Sequence, residues 1–157
     1  MTFPTDRQRI ADQLKLGSEL LYLSRQDVEH LQLTRDAVVE LTRQALVEHG
    51  HRRYEMPAKI GVLPYDNVFY HAMPAYLPGP GIVGAKCIEC YPDNPRRFGL
   101  PQTTGLLVLN EVESGVPLAV MDSAWLTAMR TPAVTVLAAA ALHPGATTFG
   151  ARRKPAL

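Results

Sequence analysis

Ile82-Val83-Gly84-Ala85-Lys86-Cys87-Ile88-Glu89-Cys90-Tyr91 lies between Pro80 and Pro92 and follows a period of two. Proline removes a backbone donor and biases its predecessor away from the helical region, so this punctuation predicts an extended strand. The same reading spreads outward. Pro57, Pro64, Pro74 and Pro78 punctuate further short extended runs, which we place near Lys59 to Leu63, Val68 to Tyr76, Thr103 to Asn110 and Pro117 to Met121. Glu111 to Gly115 has the length and glycine position of a hairpin loop between the last two. The expectation is an antiparallel sheet of about five to six strands.

Upstream of the strands the signals are helical. Ser24 and Asp27 have the spacing of a capping box and open a short helix through Leu31. Thr34 caps a longer one to about His49, with Val38, Leu41, Ala45 and Leu46 on one face and Gly50 as its stop. Helices first, then strands, then one long helix predicts an α+β fold in which the helices cover one face of the sheet. The last helix, Ser123 to Leu142, has the length and apolarity of a membrane span, but Arg130 and Pro132 interrupt it near the middle. It is expected to be a buried helix, with no membrane partner.

The chain has 157 residues, 46% of them hydrophobic, which is enough for one ordinary domain with its own core. Sixteen basic residues against fifteen acidic ones leave a charge of +1 and no basic stripe, so no nucleic-acid partner is expected. Residues 1–16 carry charges throughout and lack the apolar centre of a signal peptide, so a cytoplasmic location is expected. Cys87 and Cys90 form a lone C-x-x-C with no second pair. On a strand, residues three apart face opposite ways, so two reduced thiols are expected rather than a metal site.

Some charges fall where the pattern is otherwise apolar. In the run 82–91, Gly84, Lys86, Ile88 and Cys90 share one face, and Val83, Ala85, Cys87, Glu89 and Tyr91 the other. If Glu89 marks the wetter face, Lys86 points inward, where it pairs internally, snorkels, or awaits an anionic ligand. Arg130 is the only charge between Asp122 and His143, with Leu126, Met129, Ala133 and Val134 as helical neighbours. It calls for a carboxylate or phosphate, or else caps carbonyls of a nearby loop. His71 and Met73 share a strand face with Phe69 and default to core. Asp93-Asn94-Pro95-Arg96-Arg97 reads as a solvated turn or an anion-facing lid.

A sequence of short matches carries a family resemblance. Tyr22-Leu23-Ser24, Pro57-Ala58-Lys59, His71-Ala72-Met73-Pro74-Ala75-Tyr76, Gly84-Ala85-Lys86, Tyr91-Pro92-Asp93-Asn94-Pro95, Gly99-Leu100-Pro101, Leu118-Ala119-Val120-Met121-Asp122 and Thr127-Ala128-Met129-Arg130-Thr131 occur in that order. Together they resemble the first half of the ornithine cyclodeaminase and mu-crystallin family. The resemblance implies that Lys59 binds the substrate carboxylate and Lys86 stands beside the substrate's α-carbon end, that Met73 and His71 line the pocket, and that Arg130 and Gln102 face the cofactor, NAD. At Gln102 such proteins often carry a small hydroxyl residue. His71 stands where ornithine-specific members have an acid, so the identity of the amino acid stays open.

The resemblance also implies a sheet domain that pairs two subunits as a homodimer, joined to a Rossmann domain. The implied chemistry is that of an NAD-dependent lyase of amino-acid metabolism, ornithine to proline plus ammonia, or a related amino-acid dehydrogenase or imine reductase. A non-catalytic ligand-binding or dimerising module of the mu-crystallin kind is the alternative. On this basis residues 1–121 are expected to form the substrate-binding and dimerisation domain. Residues 122–150 would be a linker helix and the start of a dinucleotide-binding domain, and 151–157 an atypical tail. Thr147-Thr148-Phe149-Gly150 begins a strand, but Ala151-Arg152-Arg153-Lys154-Pro155 follows in place of a G-x-G-x-x-G turn. A truncated gene product that does not bind NAD by itself, with an apolar surface toward the absent domain, is therefore expected.

Overall fold

A computed structural model describes residues 13–145; the readings made at 147–155 lie outside them. Ser24 opens helix α1 (Arg25–His30) as the capping box requires. Its hydroxyl accepts from the Asp27 amide at 3.3 Å while Oδ2 of Asp27 takes the Ser24 amide at 2.8 Å. Thr34 Oγ1 accepts from the Ala37 amide at 3.2 Å and starts α2 (Arg35–Gly50), which ends at the expected stop, Gly50.

Strands β2 (Ile60–Val62), β3 (Phe69–Leu77), β4 (Ile82–Cys90), β5 (Thr103–Glu111) and β6 (Pro117–Asp122) match the five predicted runs to within one or two residues. A sixth, β1 (Leu21–Leu23), was not anticipated. The sheet order is β1-β6-β5-β4-β3-β2. Five strands form the antiparallel meander, but β1 runs parallel to β6, so the sheet is mixed rather than purely antiparallel. The β5–β6 hairpin turns on Glu111, whose carboxylate takes the Ser114 amide at 2.7 Å and the Ser114 hydroxyl as well. Gly115 sits there at φ 73°, a conformation that glycine adopts without a Cβ clash.

Asn94–Phe98, expected as a turn or lid, forms a short helix, α3, stopped by Gly99 at φ 64°. The last helix, α4 (Ala124–Leu142), contains Pro132 as expected. It is not the buried helix that its composition suggested. Ala133 is its one buried residue, and Val136 and Leu142 are 52% and 76% exposed. By length and hydropathy it could cross a membrane; in this fold it lies along α2.

Helical cover of the sheet is also narrower than expected. Helix α2 packs on α4, α1 touches β1, β6 and α4, and α4 leans on β5. The buried apolar residues, Val28, Val38, Leu118, Ala119 and Ala133, gather at that β6 end. Of the predicted apolar face of α2, Val38 is buried, but Leu41 and Leu46 are 47% and 44% exposed.

Candidate functional site

Register decides which side chains can meet. Met73 lies opposite Lys86, Lys86 opposite Leu107, and Leu107 opposite Met121. Directly opposed residues share a face, so these four form one row across four strands. His71, opposite both Gly61 and Ile88, lies on the same face two residues along β3. Its half-buried ring stacks on Phe69 at 4.2 Å between centroids, with 17° between planes. Lys59 immediately precedes β2 and is exposed. It stands two residues before Gly61, and alternation assigns it to this face at the sheet's edge.

The start of α4 is fixed against the same face. The Ser123 amide donates to the Gly105 carbonyl at 3.0 Å. Asp122 Oδ1 takes the Ala124 amide at 2.8 Å, and the Thr127 hydroxyl donates to the Ser123 carbonyl at 2.6 Å. Glycine at 105 is what permits this approach. A Cβ there would stand 2.3 Å from the Cys87 carbonyl and 2.8 Å from Ser123 Oγ. Helix α4, so anchored, carries Arg130 into electrostatic reach of Lys86. The Lys86 ammonium is held below its ordinary value, first by burial and then by the Arg130 guanidinium.

Neither Lys86 nor Arg130 has a carboxylate partner among the described residues; ion pairs there include Arg25 with Glu29, Arg43 with Glu40, Arg53 with Glu48 and Arg96 with Asp93. Of the three options for Lys86, internal pairing finds no partner among the described residues. Arg130 differs from its expected setting, because it is exposed rather than enclosed by apolar neighbours. Gln102 stands apart from this group. It is exposed, donates to Cys90 Sγ at 3.5 Å, and lies five positions along the chain from Leu107, about 17 Å at the rise of a strand.

The lid reading of residues 93–97 does not hold for this face. Arg96 pairs with Asp93, and Arg97 lies 5.0 Å from the Phe98 ring centroid. Asp93, Arg97 and Phe98 flank a cleft of about 780 Å³ bordered by Tyr65, Glu89, Tyr91 and Thr104. Glu89 and Thr104 belong to the opposite side of the sheet, so this cleft and the cation row are separate. Met73, Lys86, Leu107 and Met121 of the row are each half-buried. Cys87 and Cys90 are free, half-buried thiols on opposite faces, and no group of metal-ligating side chains occurs among the described residues.

Two contributors escaped sequence reasoning. Gly105 and Ser123 are small residues without periodic signal, and only their contact reveals their role. Ser123 is wholly buried and its hydroxyl has no hydrogen-bond partner.

Comparison with known proteins agrees with this arrangement. The profile of the ornithine cyclodeaminase/mu-crystallin family matches residues 19–151. Nodulation efficiency protein NfeD of Rhizobium meliloti is 42% identical over 123 residues, which are 78% of this chain and 38% of that protein. An archaeal alanine dehydrogenase dimer with bound NAD superposes with a TM-score of 0.70 at 35% identity, over 76% of this chain and 36% of the other. The Thermococcus litoralis Delta(1)-pyrroline-2-carboxylate reductase in complex with NADH and L-proline gives 0.71 at 32% identity, over 76% and 37%. The chain thus spans well under half the length of the relatives it matches.

Proposed function

The chain belongs to the ornithine cyclodeaminase/mu-crystallin family, and from that premise we propose that it supplies the substrate-binding and dimerising part of an NAD-dependent enzyme acting on an amino or imino acid. The carrying observation is Lys86, half-buried on one sheet face opposite Met73 and two residues from the register position of His71, within electrostatic reach of Arg130 on α4 and without an ion pair among the described residues. Placing a partly desolvated ammonium near a guanidinium costs free energy unless an anion joins them. A substrate carboxylate on Lys86, assisted by Lys59 from the sheet edge, meets that need. Holding the carboxylate fixes the α-carbon, and such positioning supplies much of the acceleration in enzymes of this kind.

The relatives in complex with NAD or NADH make a nicotinamide cofactor the natural redox partner of the whole enzyme. The residues described here do not make up a dinucleotide site. Arg130 is suited to a phosphate, but no glycine-rich turn joins a strand to a helix near it, and Gln102 lies apart. The chain's share of the reaction is therefore recognition and orientation of the substrate. In this reading α4 is the connection to a cofactor-binding domain, and its exposed apolar side faces that domain. The other side of the sheet, which exposes Tyr22, Tyr70 and Leu106, pairs two copies, as the dimeric alanine dehydrogenase suggests.

The test is nuclear magnetic resonance titration of the chain with L-norvaline, an amino acid with a plain aliphatic side chain. Resonances of Lys86, Met73 and His71 should shift together, and Lys86→Ala should remove the effect. Shifts centred instead on Tyr65 and Glu89, or none in the millimolar range, would refute the assignment.

A further inference from the structure

The geometry points to a second binding site, on the side of the sheet away from Lys86, that takes a small organic cation whose ammonium nitrogen carries alkyl groups. The site is the cleft of about 780 Å³ between the β2–β3 loop and α3, a volume in the range of small-molecule sites. It uses none of the residues of the carboxylate pocket, so the two readings stand or fall separately.

Backbone contacts fix both walls of this cleft. On one side the Val68 amide donates to the Tyr65 carbonyl at 3.1 Å, closing a turn in which Asn67 has φ 61°. On the other the Asn94 amide donates to the Tyr91 carbonyl at 3.1 Å, and the Asn94 side chain donates to the Pro101 carbonyl at 3.3 Å. The floor is the end of β4 and the start of β5, where Glu89 lies opposite Thr104. A cleft held in this way is formed before a ligand arrives, which lowers the cost of binding.

The lining selects the charge of the ligand. Tyr65, Tyr91 and Phe98 bring rings to the cleft, and Asp66, Glu89 and Asp93 bring carboxylates, against the single guanidinium of Arg97. Asp93 is already paired with Arg96 at 3.3 Å, and Arg97 lies over the Phe98 ring at 5.0 Å. Glu89 is left. It is half-buried, receives the Thr104 hydroxyl at 3.5 Å, and has no ion pair among the described residues. Tyr65 lines the same cleft yet is 71% exposed, so its ring is open to a ligand. A carboxylate on the floor and open rings on the walls both attract positive charge, the rings through the negative face of the π-system. A bare ammonium is compact and strongly hydrated and gains little from rings. Alkyl groups on the nitrogen spread the charge over an apolar body that rings can cover. A carboxylate on the ligand would stand beside Glu89 and Asp66, so amino-acid zwitterions are disfavoured here.

The experiment titrates the full chain with choline and with neohexyl alcohol, the uncharged carbon isostere of choline, at equal ionic strength set with sodium chloride. Resonances of Tyr65, Glu89 and Tyr91 are followed, with those of Lys86 and Met73 as the control. Choline should shift the first group and leave the second in place, and it should bind about tenfold more tightly than the alcohol. Glu89→Gln, which keeps the shape of the side chain, should weaken choline about threefold and leave the alcohol unchanged. Tyr65→Leu, at an exposed loop position, should weaken choline by a similar factor, with circular dichroism confirming that both variants are folded. Equal binding of choline and the alcohol would overturn the proposal, because the cleft would then select apolar shape rather than charge. Choline shifts that appear only on dilution to a monomer, as followed by sedimentation, would overturn it in favour of a second copy filling the cleft. Absence of shifts at Tyr65, Glu89 and Tyr91 through the millimolar range would overturn it outright.

Discussion

Replacing Lys86 by methionine should make the free chain more stable and abolish its response to amino acids. The ammonium at 86 is flanked by Met73 and Leu107, repelled by Arg130, and matched by no carboxylate among the described residues. Its folded-state pKa lies below the ordinary 10.5, by burial first and by Arg130 second. The unfolded chain therefore binds this proton more tightly than the folded one. The resulting penalty is complete below the folded-state pKa and fades as pH rises toward 10.5. Because Lys86 is only half-buried, solvent screening limits the penalty to about 0.5–1 kcal/mol at neutral pH. Methionine keeps the aliphatic stem in place, so Lys86→Met should raise the melting temperature by roughly 1–4 °C. Ligand acts in the opposite sense. A bound amino acid at a hundred times its Kd stabilises wild type by about 2.7 kcal/mol, and the variant should gain nothing. Melting curves of both proteins with and without L-norvaline would then cross: the variant melts higher alone and lower with ligand. A variant less stable than wild type by about 1 kcal/mol or more, the size of a lost buried interaction, would mean that Lys86 has an internal partner. A variant still stabilised by ligand would place the binding site elsewhere.

Ser123→Ala removes a wholly buried hydroxyl that has no partner. It should raise the urea midpoint by an amount equivalent to about 1 kcal/mol with the denaturant slope unchanged; a loss of stability would show that the hydroxyl is in fact satisfied. Glu40 accepts from Arg43 and Gln44, and these bonds hold its carboxyl down to about 2. With the folded value depressed, the pairing contributes above the ordinary carboxylate range and is lost as pH falls toward 2. Its side-chain resonance should titrate near 2 in wild type and return toward the ordinary range in Arg43→Ala, and a wild-type midpoint near 4 would contradict the hydrogen bonding. Leu106→Asp puts a charge on the exposed sheet face, where Leu106 is 45% exposed. If two copies pair there, sedimentation should change from dimer to monomer, whereas an unchanged dimer would move the interface elsewhere.

What the sequence made legible follows from the range of each signal. Prolines and two-residue periodicity act locally, so the five meander strands were found within one or two residues of their bounds. Strand β1 was not, because Leu21–Leu23 is too short to show a period and its parallel pairing with β6 joins residues about a hundred positions apart. Periodicity also names the apolar side of a helix without saying what covers it. Leu41 and Leu46 belong to the apolar face that periodicity names and stand exposed, and α4, expected to be buried, has one buried residue. Of the site, the parity of Lys86 within its own strand was readable, but its meeting with Met73, and the reach of Arg130, required the register and the placement of α4. The close approach at Gly105 and Ser123 depends on two backbones meeting, which no single segment encodes.

That dependence on register explains how narrowly the cation row is specified. Lys86 and Glu89 are three residues apart on β4 and therefore face opposite sides of the sheet. A one-residue slip would exchange the faces, burying Glu89 beneath α4 and turning Lys86 to the open side. Two features oppose the slip. The Gly105 carbonyl receives the Ser123 amide at a place where only glycine permits so close an approach. The irregularity between Leu109 and Asn110 then absorbs the extra residue of the β5–β6 pairing at the hairpin end rather than at the site. With the slack confined there, the row from Met73 through Lys86 to Leu107 keeps its register, and the ammonium is held where no carboxylate of the described residues pairs with it.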